Sequence, residues 1–175
     1  MTKGRTRSFT MLAVLAMACA PPAAADAQQT VIIVRHAERA DGGAGAAASA
    51  MTAPADPLLS AAGEARAARL ASMLADAKIA AIYATEFRRT QDTGKPLAAR
   101  LGLTVQAVSS KDVGALVDRL KSRHAKDTVL VIGHSNTIPD VIKALGGPAI
   151  TMRDDEYDAL YVLIPATGAL TLIRY

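Results

Sequence analysis

The sequence predicts an α/β fold: a three-layer α/β/α sandwich with a mostly parallel central sheet and an antiparallel C-terminal edge. Two aliphatic runs, residues 30–34 and 128–132, contain no charged residue, which is typical of strands covered on both faces in a parallel sheet. Strand and helix patterns then alternate along most of the chain, and the last two strand patterns form a hairpin. The predicted element order is βα-βα-βα-βα-ββ.

The first half of the chain contains two predicted strands and one predicted helix. Strand 30–34 ends in a cluster of ionisable residues, 35–39, and small residues between 40 and 57 indicate a loop. Ser60 is a suitable N-cap for the helix that follows. The predicted apolar face of that helix, interrupted by Arg66, comprises Leu59, Ala62, Leu70, Met73, Leu74 and Ala77. The second strand covers 79–84.

The second half of the chain continues the alternation. A helical segment opens at 85–93 and runs toward Leu101, with a kink or break expected at Pro96. A short peripheral strand at 103–108 and a helix at 112–124 follow. The remaining predicted elements are strand 128–132, a helix at 139–145 and the hairpin 157–164 with 170–175. His124, near the end of a helix, is expected to make a dipole contact and to have no catalytic role.

Residues 1–27 have the pattern of an export signal. A basic start with Lys3, Arg5 and Arg7 precedes the uncharged stretch 9–20, and Ala25-Asp26-Ala27 fits a cleavage site before Gln28. We therefore expect residues 28–175 to form a single domain that is periplasmic or secreted, with no stable membrane insertion because the apolar stretch is short. Cys19 leaves a lipoprotein as the alternative.

Composition limits the classes of partner. Removal of residues 1–27 would leave 17 basic and 15 acidic residues, so the formal charge falls from +4 to +2. A net charge this close to zero and a content of only 3% aromatic residues argue against nucleic-acid binding. The chain after residue 27 contains no cysteine, which excludes thiol catalysis and cysteine-based metal sites there. Composition does not fix the oligomeric state.

Ionisable residues follow three of the predicted strands. Arg35 and His36 end the first, Arg89 lies one turn beyond the second, and His134 follows the strand 128–132. Parallel strands place their carboxyl ends at one edge of the sheet, where ligands bind in open α/β sheets. Two imidazoles and two guanidiniums gathered there predict a site for a tetrahedral dianion.

Four blocks of the sequence resemble the histidine phosphatase superfamily, which includes the cofactor-dependent phosphoglycerate mutases. Residues 34–38 (VRHAE) resemble its Arg-His signature and residues 58–63 (LLSAAG) its Leu-Ser/Thr-x-x-Gly segment. Residues 85–90 (TEFRRT) resemble the block with its second Arg, and 131–136 (VIGHSN) the block with its second His. All four occur in the family's order.

The resemblance implies a metal-independent phosphatase that acts on a small phosphomonoester or on phosphohistidine. His36 would be the nucleophile that forms a phosphohistidine, and Arg35 and Arg89 would clamp the phosphoryl group. His134 would bind the same oxygens. No cofactor and no metal are expected, and the only partner expected is a small phosphorylated substrate. The absence of the large cap of phytase-like relatives predicts an open site.

The general acid of the family has no clear equivalent. No Glu occurs between Glu86 and Glu156, and the remaining candidates are Glu38, Glu86, Asp112 and Asp140. The small phosphohistidine phosphatases of this superfamily act without such an acid. Glu38, two residues after His36, is expected mainly to orient the guanidiniums of Arg35 and Arg39, whose charge favours the carboxylate. The alternative is that Glu38 is the acid.

Two other functions compete with this interpretation. One is a phosphate-binding or scaffold module of the same fold without catalysis. The other is a serine hydrolase using Ser135, because Gly133-His134-Ser135-Asn136-Thr137 resembles a nucleophile elbow. The elbow lacks its last Gly, and no His follows Ser135 to complete a triad in that chain order. Both remain open at this stage, and trapping of a phosphoenzyme distinguishes all three.

Overall fold

The structure is a computed structural model that describes residues 28–42 and 56–175. Those residues form ten elements, which follow the predicted order. They are β1 Thr30–Arg35, α1 Ala61–Met73, β2 Ile79–Thr85, α2 Arg88–Leu101, β3 Val105–Val108, α3 Val113–Arg123, β4 Thr128–Gly133, α4 Ile138–Ala144, β5 Ala159–Ile164 and β6 Ala169–Arg174. The proposed signal, residues 1–27, lies outside the described residues, as does most of the predicted loop.

The strands form one sheet in the order β3-β2-β4-β1-β5-β6. Strands β3, β2, β4 and β1 are parallel, whereas β5 and β6 run antiparallel at the C-terminal edge. The predicted three-layer α/β/α fold is therefore confirmed. The two innermost parallel strands, β4 and β1, are paired through six residues, from Thr30 with Thr128 to Arg35 with Gly133.

Both faces of the sheet are buried, which explains the uninterrupted aliphatic runs. Val31 and Ile33 of β1 face a core formed with α3 and α4, while Ile32 and Val34 face a core formed with α1 and α2. Side chains alternate across a strand, so a strand between two helical layers needs apolar residues at every position. Among the described helices, none is long and apolar enough to cross a bilayer.

Helix α1 packs against the segment after β1 through Gly63, and Leu59, Leu70 and Leu74 of the predicted apolar face are buried as expected. A Cβ at Gly63 would lie 2.3 Å from the carbonyl oxygen of Glu38. The buried residues of the helix include Gly63, Ala67 and Leu70, whereas Ala62 and Met73 are exposed. The prediction for those two residues was wrong. Ser60 is the N-cap, as predicted, and accepts a hydrogen bond from the Gly63 amide at 3.1 Å.

The start of the second helix differs from the predicted segment, which opened at residue 85. Helix α2 begins at Arg88 and continues through Pro96 to Leu101, so Pro96 does not break it.

The two ends of the loop after β1 are held together where they are described. Arg39 and Leu59 form an isolated bridge, and the Ala40 amide donates to the Leu58 carbonyl at 2.9 Å.

Candidate active site

The ends of β1 and β4 bring the two predicted histidines into contact. The His36 amide continues the ladder by donating to the Gly133 carbonyl at 3.0 Å, and His134 follows Gly133 directly. Their ring centroids lie 5.2 Å apart at an interplanar angle of 64°. Because backbone pairing fixes both Cα positions, the separation of the imidazoles does not depend on a mobile loop.

His36 is buried and held in one tautomer. Its Nδ1 lies 2.8 Å from the Ala37 carbonyl oxygen, which can only accept, so Nδ1 is the protonated nitrogen and Nε2 has a free lone pair. The Ala37 amide in turn donates to Thr93 Oγ1 at 3.0 Å. Burial, and then the charges of His134, Arg35 and Arg89, lower the pKa of His36 to about 3 despite the bond to Ala37. The imidazole is therefore neutral at neutral pH.

His134 has a different set of neighbours. Its Nε2 lies 2.8 Å from Thr85 Oγ1, at the end of β2. Its backbone amide donates a hydrogen bond to the Thr137 hydroxyl at 2.9 Å. Phe87 packs edge-on against the ring, with centroids 5.2 Å apart. Burial and the nearby Arg89 cation are the main causes that lower the pKa of His134 to about 4. Both imidazoles are thus neutral beside permanent cations.

The guanidinium of Arg35 is fixed from the side of the C-terminal hairpin. Its Nη1 donates to the Asp154 carbonyl oxygen at 2.5 Å, and its Cζ lies 4.1 Å above the ring of Tyr157. Arg35 is 5% exposed. These contacts leave the Nε–H of Arg35 buried with no hydrogen-bond partner among the described residues.

Arg89, in the first turn of α2, is held in a comparable way. Its Nη1 lies 3.3 Å from Asp56 Oδ1, and its Cζ lies 4.3 Å above the Phe87 ring. Asp56 also accepts from the Arg88 amide and so fixes the start of the helix. In the described part of the chain, the buried Nε atoms of Arg89 and Arg39 also lack acceptors. A buried donor without an acceptor is costly, so these donors favour an anion between them.

These side chains line one cavity of about 580 Å³. Its lining residues are Arg35, His36, Arg39, Phe87, Arg89, Ser110, Lys111, His134, Ser135, Asn136, Thr137 and Asp154. The four residues predicted from strand ends, Arg35, His36, Arg89 and His134, are therefore brought together. No group of three His, Cys, Asp or Glu side chains suited to a metal ion occurs in residues 28–42 and 56–175.

Glu38 does not orient the guanidiniums of Arg35 and Arg39, so that prediction was wrong. Its carboxylate binds Arg66 of α1 in a fork, with Nη2 to Oε1 at 2.7 Å and Nε to Oε2 at 3.0 Å. Burial raises the pKa of Glu38, but the hydrogen bonds and charge of Arg66 outweigh it and the net pKa is lowered. Glu38 does not line the cavity. Its position and its lowered pKa both disfavour it as the proton donor.

The other predicted acids also lie outside the cavity lining. Glu86 accepts from the amide and hydroxyl of Ser110 at 2.7 and 2.9 Å. Asp112 is the N-cap of α3, and Asp140 is exposed in the first turn of α4. None of the three is placed to meet a substrate.

Asp154, Tyr157 and Phe87 are site residues that the sequence did not reveal. Asp154 and Tyr157 precede β5, which runs antiparallel to β1, so the start of β5 lies beside the end of β1. The Ser135 hydroxyl donates to Asp154 Oδ1 at 2.5 Å. Among the described residues Ser135 has no hydrogen bond to an imidazole, and a general base must be within such reach. The geometry therefore gives no support to a serine nucleophile.

His124, to which no catalytic role was assigned, lies away from this cavity. It is the C-cap of α3, with Nδ1 2.8 Å from Asp127 Oδ2 and Nε2 2.9 Å from the Tyr83 hydroxyl. It bonds to side chains of the loop and of β2, so its contacts are more specific than the predicted dipole contact.

Three comparisons show which known proteins this chain resembles. Residues 31–110 match the family model described as histidine phosphatase superfamily, branch 1. The fold is similar to that of the protein histidine phosphatase SixA in complex with tungstate, with 21% identity over 82% of this chain and 94% of the other, at a TM-score of 0.60. No curated protein sequence matches the chain significantly.

Two further solved structures share the fold. A mycobacterial glucosyl-3-phosphoglycerate phosphatase is 15% identical over 83% of this chain and 97% of the other, at a TM-score of 0.60. A protein described as a putative alpha-ribazole-5'-P phosphatase from Escherichia coli is 15% identical over 84% and 95%, at a TM-score of 0.59. Residues 31–110 thus resemble branch 1 of the histidine phosphatase superfamily, and the chain shares the fold of these phosphatases.

Proposed function

We propose that this protein hydrolyses a small phosphomonoester or a phosphohistidine without a metal, through a covalent phosphohistidine on His36. One observation carries the proposal. The Nδ1–H of His36 is bound to a carbonyl oxygen, so that Nε2 has a free lone pair in a cavity lined by three guanidiniums. A neutral, oriented imidazole beside donors for phosphoryl oxygens is what nucleophilic phosphoryl transfer requires.

The chemistry follows from the positions of these groups. The Nε2 lone pair of His36 forms a bond to phosphorus while the bond to the leaving oxygen breaks and that oxygen takes the electron pair. Arg35 and Arg89 bind the phosphoryl oxygens, and His134 adds a further contact beside them. Water then attacks phosphorus, the N–P bond breaks, and Nε2 regains its lone pair as inorganic phosphate is released.

The solved neighbours support an oxyanion as the ligand. The structure of the phosphatase SixA contains tungstate, and the mycobacterial phosphatase was solved with inorganic phosphate. Each is a tetrahedral oxyanion, and four side chains of this cavity, Arg35, Arg89, His36 and His134, are chemically suited to such a group. The absence of Glu38, Glu86, Asp112 and Asp140 from the cavity lining favours leaving groups that need little protonation, among them the imidazole of phosphohistidine.

Phosphoenzyme trapping tests the proposal. Rapid quenching during turnover of an aryl phosphate should yield phosphoprotein that is acid-labile and base-stable, as a phosphoramidate is. The His36→Ala variant should yield none, while Ser135→Ala should still be labelled. Vanadate should inhibit turnover, and a chelator should not. No label in the active wild type, or activity abolished by the chelator, would contradict the mechanism.

We also propose that residues 1–27 are an export signal and that residues 28–175 form the single mature domain, in the periplasm or outside the cell. The support is the sequence pattern: a basic start, a short apolar stretch and small residues before Gln28. Lipidation at Cys19 is the competing outcome.

A further inference from the structure

We infer that Asp154 is the proton-transfer residue of the reaction, serving the side of the phosphoryl group opposite His36. The inference rests on the proposed function and supplies the acid–base group that the sequence did not reveal. Asp154 is the one carboxylate among the residues that line the described cavity. The other ionisable side chains of the lining are those of Arg35, Arg39, Arg89 and Lys111, which are cations, and of the two neutral histidines.

Contacts with both central strands hold Asp154 at the cavity. Its carbonyl oxygen accepts from Arg35 at the end of β1, and its Oδ1 accepts from Ser135, which follows His134 just beyond β4. Asp154 is thus tied to the residue before His36 and to the residue after His134. The carboxylate has a second oxygen, Oδ2, that makes no hydrogen bond within the described residues. That oxygen is free to bind a reacting group.

The reaction needs a proton-accepting oxygen at one position, beside the attacking water. In an in-line displacement, the leaving oxygen of the first step and the attacking water of the second occupy the same place, opposite Nε2 of His36. Arg35, Arg89, Arg39 and Lys111 cannot take a proton from that water, because they are cations with no free lone pair. Asp154 can accept it.

Asp154 acts in the hydrolytic step. One water proton moves to Oδ2 of Asp154 as the water oxygen bonds to phosphorus, and the N–P bond breaks with its electron pair returning to Nε2. The products are inorganic phosphate, neutral His36 and protonated Asp154. The proton then passes from Asp154 to solvent, which restores the carboxylate for the next cycle.

The Asp154→Asn variant tests this role. An amide keeps the size of the side chain and still accepts from Ser135, but it cannot exchange a proton. With an aryl phosphate, whose leaving group needs no protonation, the variant should give a stopped-flow burst of about one phenol per site. Steady turnover should then be about 10²-fold slower than in the wild type, with phosphoenzyme accumulating.

Asp155→Asn is the matched control. Asp155 is exposed, pairs with Arg153 and does not line the cavity, so this variant should keep both burst and turnover. Wild-type steady turnover in Asp154→Asn would overturn the inference and leave the proposed function intact. Equal loss of burst and turnover would also overturn it, because that pattern indicates loss of the phosphate site. A wild type that forms no phosphoenzyme would overturn the proposed function instead.

Discussion

Stability against unfolding should depend on pH because of the two buried histidines. In the folded protein the pKa values of His36 and His134 are about 3 and about 4, against an ordinary value of 6.5. At pH values between the folded pKa and 6.5, each histidine binds a proton in the unfolded chain but not in the folded one. The two histidines should therefore not reduce the free energy of unfolding above pH 6.5, and that free energy should fall as the pH drops toward 4.

The size of the effect follows from the two pKa shifts. At pH 5, about 1.5 units below the ordinary value, the folded imidazoles are still neutral whereas the unfolded ones are charged. At about 1.4 kcal/mol per unit, each histidine removes roughly 2 kcal/mol of stability, and the pair roughly 4 kcal/mol. That is a large part of the stability of a typical domain.

Urea unfolding at pH 7.5 and pH 5, in a buffer without phosphate, measures this difference. The reference is the double variant His36→Asn with His134→Gln, whose amides do not titrate. Its absolute stability is free to change, because only the difference between the two pH values is compared. If the wild type loses less than about 1 kcal/mol more than the double variant, the two imidazoles are not held neutral by the fold and the reasoning fails.

Three further predictions concern the clamp, the packing of α1 and the N-terminus. Arg89→Lys keeps the charge but loses the planar fork, so kcat should fall roughly 10²-fold; a rate within a few-fold of wild type would remove Arg89 from the clamp. Gly63→Ala forces a Cβ against the Glu38 carbonyl and should lower the free energy of unfolding by roughly 1–3 kcal/mol. Gly114→Ala, whose Cβ would meet only Asp112 at an ordinary 3.5 Å, is its control and should not destabilise. Intact-mass analysis of exported protein should find a chain beginning at or near Gln28, whereas a lipid-modified cysteine at the N-terminus would contradict general export.

The sequence alone identified the elements and the four clustered side chains for one physical reason. Unbroken aliphatic runs mark strands buried on both faces, and parallel strands end at the same edge. His36 and His134 each lie two residues past the end of such a run, so their presence at one edge of the sheet could be predicted without knowing the order of strands. Arg89 was predicted in the same way, because it lies one turn after β2.

Contacts that depend on packing were beyond the sequence. The partner of Glu38 is Arg66, 28 residues away on α1, and the pairing exists because Gly63 allows the helix to approach the Glu38 backbone. Arg66 was visible only as an interruption of an apolar face. Asp154 reaches the cavity because β5 pairs antiparallel with β1, a neighbour relation that no local pattern specifies.

The pairing of β1 with β4 determines when, during folding, the candidate active site forms. Partners in this ladder, such as Arg35 and Gly133, are separated by nearly a hundred residues. Contacts of such high sequence separation form late, because the entropy of closing the intervening chain must be overcome first. In refolding, phosphatase activity should therefore return only with the final cooperative phase. A nascent chain would have the proposed nucleophile but no pocket around it, and so would not react with cellular phosphates until folding is complete.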